Sequence, residues 1–129
     1  MSMIKTENAA SVNQILFMTQ PYAGVGVVVA NTGITADANG KKILKAGTPI
    51  TGNLQARTAS PYFVKATTTS GASNAVAVLL HDVDVTAGNE NATALIFGFV
   101  DVNKLDTATQ ALITSEVVTA LNGKVTFLK

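Results

Sequence analysis

Apolar residues in this chain come in short bursts, alternating or continuous, separated by Gly, Asn and Thr, which is the pattern of a β-rich domain rather than a helical one. Val25-Gly26-Val27-Val28-Val29-Ala30 reads as a strand, because β-branched side chains fit a pleated surface. Asn31-Thr32-Gly33 and Asp37-Ala38-Asn39-Gly40 follow as turns, since Gly and Asn accept positive φ. Lys42-Ile43-Leu44-Lys45 predicts a short strand, and Tyr62-Phe63-Val64-Lys65-Ala66 predicts another. Pro49 lacks an amide donor, so the extended piece that contains it lies at an edge or opens a strand. Thr67 to Asn74 is small, polar and centred on Gly71, and reads as a loop.

The densest signal lies between Ala75 and Asn103. Ala75-Val76-Ala77-Val78-Leu79-Leu80 is a continuous apolar run, as expected of a strand buried on both faces. It passes into His81-Asp82-Val83-Asp84-Val85-Thr86, where alternation puts the two valines on one face and the two aspartates on the other. Ala87-Gly88-Asn89-Glu90-Asn91 turns the chain, and Thr93 to Val100 returns as a strand in which Gly98 marks a bulge or a close backbone approach. Leu105 to Leu121 predicts one helix, capped by Asp106, with Ala111, Leu112, Ile113, Val117, Val118 and Leu121 on its apolar side and Asn122-Gly123 ending it. Lys124 to Lys129 is a last strand. Met1 to Tyr22 shows neither period 2 nor period 3.6, so residues 1–22 are expected to form an extended arm and residues 23–129 a single mainly β domain.

With 129 residues the chain suits one domain, and with 47% apolar and 13% charged residues its bulk is not disordered. Much of the apolar fraction is Ala, which adds little hydrophobic area, so a thin core stabilised by a symmetric oligomer is expected. The net charge of +1 offers no field for nucleic acid or an anionic membrane. Residues 1–65 hold six bases and two acids while residues 66–129 hold three bases and six acids, so the halves carry +4 and −3. Such halves pair either across the fold or between subunits. With no cysteine, disulfides and thiolate chemistry are excluded. No tract approaches a membrane span, and Met1–Met18 lacks the pattern of a signal peptide, so Asn91-Ala92-Thr93 is read as an accidental sequon.

Candidate chemistry is sparse. The single histidine, His81, has no partner in an elbow or triad pattern and reads as structural. Asp82-Val83-Asp84-Val85-Thr86-Ala87-Gly88 opens like a calcium loop, but the sixth and twelfth positions are Ala87 and Thr93 where Gly and a bidentate Glu are required. With Glu90 these aspartates offer at most a weak cation site; a solvated strand face is the simpler reading. Gly24-Val25-Gly26 precedes its strand, unlike a dinucleotide-binding turn, and Lys41, Lys42 and Lys45 lack stacking aromatics for a nucleic-acid groove. No enzyme and no cofactor are expected.

The stretch Ala75–Ala92, followed by Leu95-Ile96-Phe97-Gly98-Phe99-Val100-Asp101-Val102-Asn103-Lys104-Leu105, resembles the head decoration proteins of tailed phages, often called head fibre proteins. Ile43-Leu44-Lys45-Ala46-Gly47-Thr48-Pro49-Ile50, the Ala111–Val117 helix and the ending Lys124–Lys129 are similar to the same group, so the likeness spans roughly residues 40–129. A more distant similarity, over Thr67 to Phe99, is to the head decoration protein of phage lambda, whose Trp-Pro element this chain lacks. The resemblance implies a small β-barrel or β-tulip-like domain with one α-helix near the C-terminus. It implies homotrimers on the outer surface of the expanded capsid, made in the bacterial host cytoplasm, that clamp the major capsid protein against the pressure of packaged DNA. An N-terminal arm adds as a strand to an exposed capsid sheet edge in such proteins, with Ile4, Val12, Ile15, Leu16 and Phe17 as the contact residues here. The same segment also reads as a strand packed on its own domain. Other readings are a virion-displayed module for host-surface carbohydrate, which needs aromatic platforms that this Trp-free chain with only Tyr22 and Tyr62 hardly supplies, and a tail or baseplate subunit.

Overall fold

The computed structural model of the chain describes Ile15, Leu16, residues 22–122 and residues 124–129. Its strands are β1 (Ala23–Val29), β2 (Ile43–Leu44), β3 (Pro49–Thr51), β4 (Val64–Lys65), β5 (Thr68–Thr69), β6 (Ala72–Ser73), β7 (Ala77–Leu79), β8 (Val83–Asp84), β9 (Glu90–Asp101) and β10 (Val125–Leu128). A 3-10 turn (Val102–Lys104) and two helices, α1 (Thr107–Gln110) and α2 (Ser115–Ala120), connect β9 to β10. The architecture is mainly β. The main sheet runs β1-β9-β7-β3-β4 with antiparallel neighbours, and β10 lies parallel to the C-terminal half of β9. That parallel pairing requires a long crossover, which the helices provide.

The apolar run at residues 75–80 explains how the core is divided. Ala77 and Leu79 face one cluster, with Val27, Val29, Ile50, Phe63 and Ala94, while Val78 and Leu80 face the other, with Leu95, Val100, Leu121 and Val125. Successive strand residues point to opposite faces, so a strand with cores on both sides must be apolar at every position. All three residues of β7 are fully buried. Val83 and Val85 turn inward to the first cluster while Asp82 and Asp84 stay exposed, as alternation predicts.

Several details depart from the sequence reading. The sheet is not closed into a barrel. Its two ends touch at one parallel bridge between Val29 and Phe63, where Phe63 N donates to Val28 O (2.9 Å) and Ala30 N donates to Phe63 O (2.8 Å). β4 is only two residues long and β1 ends at Val29, so no ladder continues from that bridge. The expected single helix is broken into two at Thr114, which adopts extended backbone and accepts a hydrogen bond from Val117 N (3.4 Å). Threonine is a poor interior residue but a good N-cap. The break also resets the helical phase, and Ala111 and Val118, counted on the apolar side, are exposed. Thr67–Asn74 forms a hairpin of β5 and β6 whose centre, Ser70 (φ 54°) and Gly71 (φ 79°), has the positive φ pair of a tight hairpin turn.

Gly98 is a close approach, and a bulge lies beside it. A Cβ there would stand 3.1 Å from Tyr22 Cβ, at a φ of 153°. Ala23 faces Phe97 while Gly24 faces Leu95, which leaves Ile96 as the extra residue of the bulge. Of the arm residues, Ile4, Val12 and Phe17 lie outside the described residues. Ile15 and Leu16 are buried in the second cluster: Leu16 bridges Val100, Asp101 N donates to Ile15 O (2.9 Å), and Lys104 Nζ donates to Leu16 O (3.3 Å).

This packing sets two expectations for stability. Ile15→Ala is expected to lower the unfolding free energy in urea by about 2–5 kcal/mol, the cost of truncating a fully buried Ile. A Cβ at Gly52 would lie 2.6 Å from Cγ of the buried Phe63 ring, whereas one at Gly26 meets nothing within 4 Å. Gly52→Ala is therefore expected to cost about 1–3 kcal/mol and Gly26→Ala to stay within about 0.5 kcal/mol of the parent.

Candidate functional site

The one stretch with a site-like sequence, Asp82 to Gly88, contains β8, which pairs with β2 through Ile43–Asp84 and Leu44–Val83. Two backbone segments, 41–46 and 82–86, are thereby laid side by side, and the polar side chains of the second fasten the first. Asp82 Oδ1 accepts a hydrogen bond from Ala46 N (2.7 Å), and Asp82 Oδ2 lies 3.8 Å from Lys45 Nζ. These contacts hold the turn Lys45–Thr48, where Thr48 N donates to Lys45 O (3.1 Å) and Thr48 Oγ1 donates to the same carbonyl (2.7 Å). Gly47 takes φ 93° in that turn, and a Cβ there would meet Leu105 Cδ2 at 2.5 Å. Only glycine satisfies both the backbone conformation and the space.

Thr86 supplies the second fastening. Its Oγ1 accepts from Lys42 N (2.7 Å) and donates to Asp84 Oδ1 (2.5 Å), which also accepts from Thr86 N (2.9 Å). The Thr86 hydroxyl and then its amide hold the Asp84 carboxyl below its ordinary value of 3.8, with Lys41 adding a smaller attraction. Asp82 and Asp84 are thus engaged in backbone geometry. Among the described residues, no group of three or more His, Asp or Glu is placed to hold a metal ion. His81 is exposed at the end of β7.

This use of aspartate extends through the molecule. Asp37 Oδ1 accepts from Asn39 N and Lys41 N, Asp101 caps the 3-10 turn through Asn103 N, and Asp106 caps α1 through Ala108 N. All five aspartates of the chain therefore accept a backbone N–H nearby in the fold. Glu116, in the first turn of α2, is likewise held below the usual carboxylate range by its own amide and the Thr114 hydroxyl. Lys45–Asp82, and Lys41 beside Asp84, join the basic half of the chain to the acidic half within one fold.

Open grooves mark the surface formed by the described residues. One, of about 580 Å³, runs past Lys41, Asp82, Asp84, Thr86 and Glu90. Another, of about 340 Å³, lies between Ile34, Ile43, Lys45, Lys65, Asp106 and Leu112. Neither brings together a nucleophile, a base and an oxyanion donor. Among the described residues, the large apolar side chains that remain exposed are Tyr22, Ile43, Phe97 and Val118, at 37–46%. Among the described residues no helix is long and apolar enough to cross a membrane. No protein-family model matches the chain, and no curated protein matches it.

Sequence reasoning found Asp82 and Asp84 but missed Thr86, which with Asp82 links both segments. The signal was the Asp-x-Thr spacing, which places a hydroxyl two residues after a carboxylate on one strand face. Because the carboxyl of Asp84 is lowered, its ionised form favours the fold above the ordinary value, and that contribution is lost as pH falls through the folded value. Thr86→Val is expected to raise the Asp84 pKa toward 3.8 in a carboxyl NMR titration and to make stability less acid-sensitive below about pH 4. An unmoved Asp84 titration refutes the fastening role of Thr86.

Proposed function

We propose that this chain is a structural virion protein: a capsid decoration, or cement, protein that binds as homotrimers to the outside of the expanded phage head. Its partner is the major capsid protein, and its work is mechanical, holding neighbouring coat subunits together against the pressure of packaged DNA. The observation that carries this reading is the stretch Ala75–Leu105, whose resemblance to head decoration proteins falls on β7 and β9, the strands that divide the two cores, and on β8, which covers the first of them. Support also comes from the polar groups described above, whose carboxylates are spent on turns and caps.

Trimers spanning several coat subunits bind tightly through individually modest contacts, because each contact after the first is intramolecular. In this reading Ile4, Val12 and Phe17 meet the capsid, while Ile15 and Leu16 root the arm beside Val100 and Asp101. A truncation that tests the arm must therefore start at Ile15, leaving the core intact.

The test is co-sedimentation with capsids of the phage that encodes the chain, unexpanded procapsids against expanded heads. Saturable binding to expanded heads alone is expected, and deletion of residues 1–14 is expected to abolish it while the remaining chain stays folded by circular dichroism. Absence of binding to either capsid form overturns the decoration reading in favour of a tail subunit or a carbohydrate-binding module. Full binding by the truncated chain removes residues 1–14, with Ile4 and Val12, from the mechanism.

A further inference from the structure

β1 is an outer strand of the main sheet, and among the described residues its outer edge is bonded along only part of its length. At one end, Val28 N donates to Arg57 O (3.1 Å) and Val28 O accepts from Phe63 N (2.9 Å). In an antiparallel ladder the groups facing away from the partner strand recur at every second residue, so Gly26 and Gly24 present theirs on the same edge. Gly26 O accepts from Arg57 Nη1 (2.6 Å). Among the described residues, nothing else bonds the outward groups of Gly24 or the N–H of Gly26.

Natural sheets blunt such edges with charge, proline or a covering segment, because a bare edge is a template for another strand. Ala23-Gly24-Val25-Gly26 contains none of these devices. Arg57 supplies one from outside the strand. It is a single exposed residue that covers two successive outward positions of β1, Val28 with its carbonyl and Gly26 with its guanidinium.

We propose that Arg57 guards a self-pairing edge: once its guanidinium is removed, β1 pairs antiparallel with β1 of a second copy. The occupant is a second copy because β1 is complementary to itself. A two-fold axis at Val25 sets Gly24 of each copy opposite Gly26 of the other, and each such pair exchanges both of its N–H to carbonyl bonds. One bond of each exchange ends on Gly26 O, the atom that Arg57 occupies. On the glycine face neither residue carries a side chain into the contact; a Cβ at Gly26 meets nothing within 4 Å, while one at Gly24 would meet Thr93 Cγ2 at 3.2 Å. On the other face the two Val25 side chains meet, each already packed against the cluster of Val27 and Val29.

Sedimentation velocity on the full chain tests this without capsids, so its outcome is separate from that of the proposed function. Arg57→Ala is expected to double the mass of the parent species and to protect the Gly24 amide from hydrogen exchange. Adding Gly26→Pro is expected to restore the parent mass, because the ring removes an outward N–H and leaves the ladder to β9 intact. Gly24→Pro removes the neighbouring outward donor in the same way and replaces it should Gly26→Pro fail to fold by circular dichroism. An Arg57→Ala protein that keeps the parent mass overturns the proposal, as does a larger species that survives the proline.

Discussion

Burial of β7 and the middle of β9 on both faces constrains everything around them. A strand with a core on each side needs a cover for each side, and 129 residues leave little material for two covers. The first cluster is closed by the bent sheet itself, with Phe63 brought to Val29 and the Leu44, Val83 and Val85 side chains laid over it. The second is closed from the two ends of the chain: α2, Leu121 and β10 on the C-terminal side of the sheet, Ile15 and Leu16 on the N-terminal side. The long β9 is what permits this arrangement, because its N-terminal half pairs with β1 and β7 and its C-terminal half with Leu16 and β10. The bulge at Ile96 and the glycine at position 98 lie where the two halves meet.

With most long apolar side chains committed to those clusters, loops are held by short polar side chains. Aspartate suits this work because its carboxylate reaches backbone amides one to four residues away and accepts more than one of them. Asp82 shows the long-range form, tying Ala46 of a segment far away in sequence, and Asp37 and Asp106 show the local form. A cluster of acids read from sequence thus resolves into separate turns. Asp82 faces the Lys45 turn, and Asp84 faces its own Thr86. Ion binding needs carboxylates that converge; here they point at different backbone amides.

What the sequence made legible obeys the same division. Strands buried on both faces or alternating strictly, such as 75–80 and 83–85, declare their periodicity, and so did the paired strand near the C-terminus. Asp106 was readable as a cap because its signal is local. The helix break was not, since Leu112 and Ile113 continue the apolar count and Thr114 differs from an interior residue only through its hydrogen bond to Val117 N. The β5–β6 hairpin was hidden because its strands are Thr, Ala and Ser, without an apolar face, and its register rests on two positive φ values at Ser70 and Gly71. Sheet closure is a property of strand lengths and bends, so a single bridge in place of a closed ladder left no trace in the pattern of residues.

The incomplete closure has a consequence for a protein that is proposed to act in many copies on one surface. A closed barrel has no edges, whereas this sheet keeps β1 as an edge, and trimers held on a capsid would present that edge to one another at high local concentration. A charged residue placed on the edge strand at Gly24 would crowd β9, since Thr93 Cγ2 stands 3.2 Å from a Cβ at that position. Placing the charge on the connection between β3 and β4 avoids that conflict. Arg57 reaches Gly26 O from there while its own carbonyl stitches the connection to Val28, so one residue both helps bring the ends of the sheet together and blunts the edge left open.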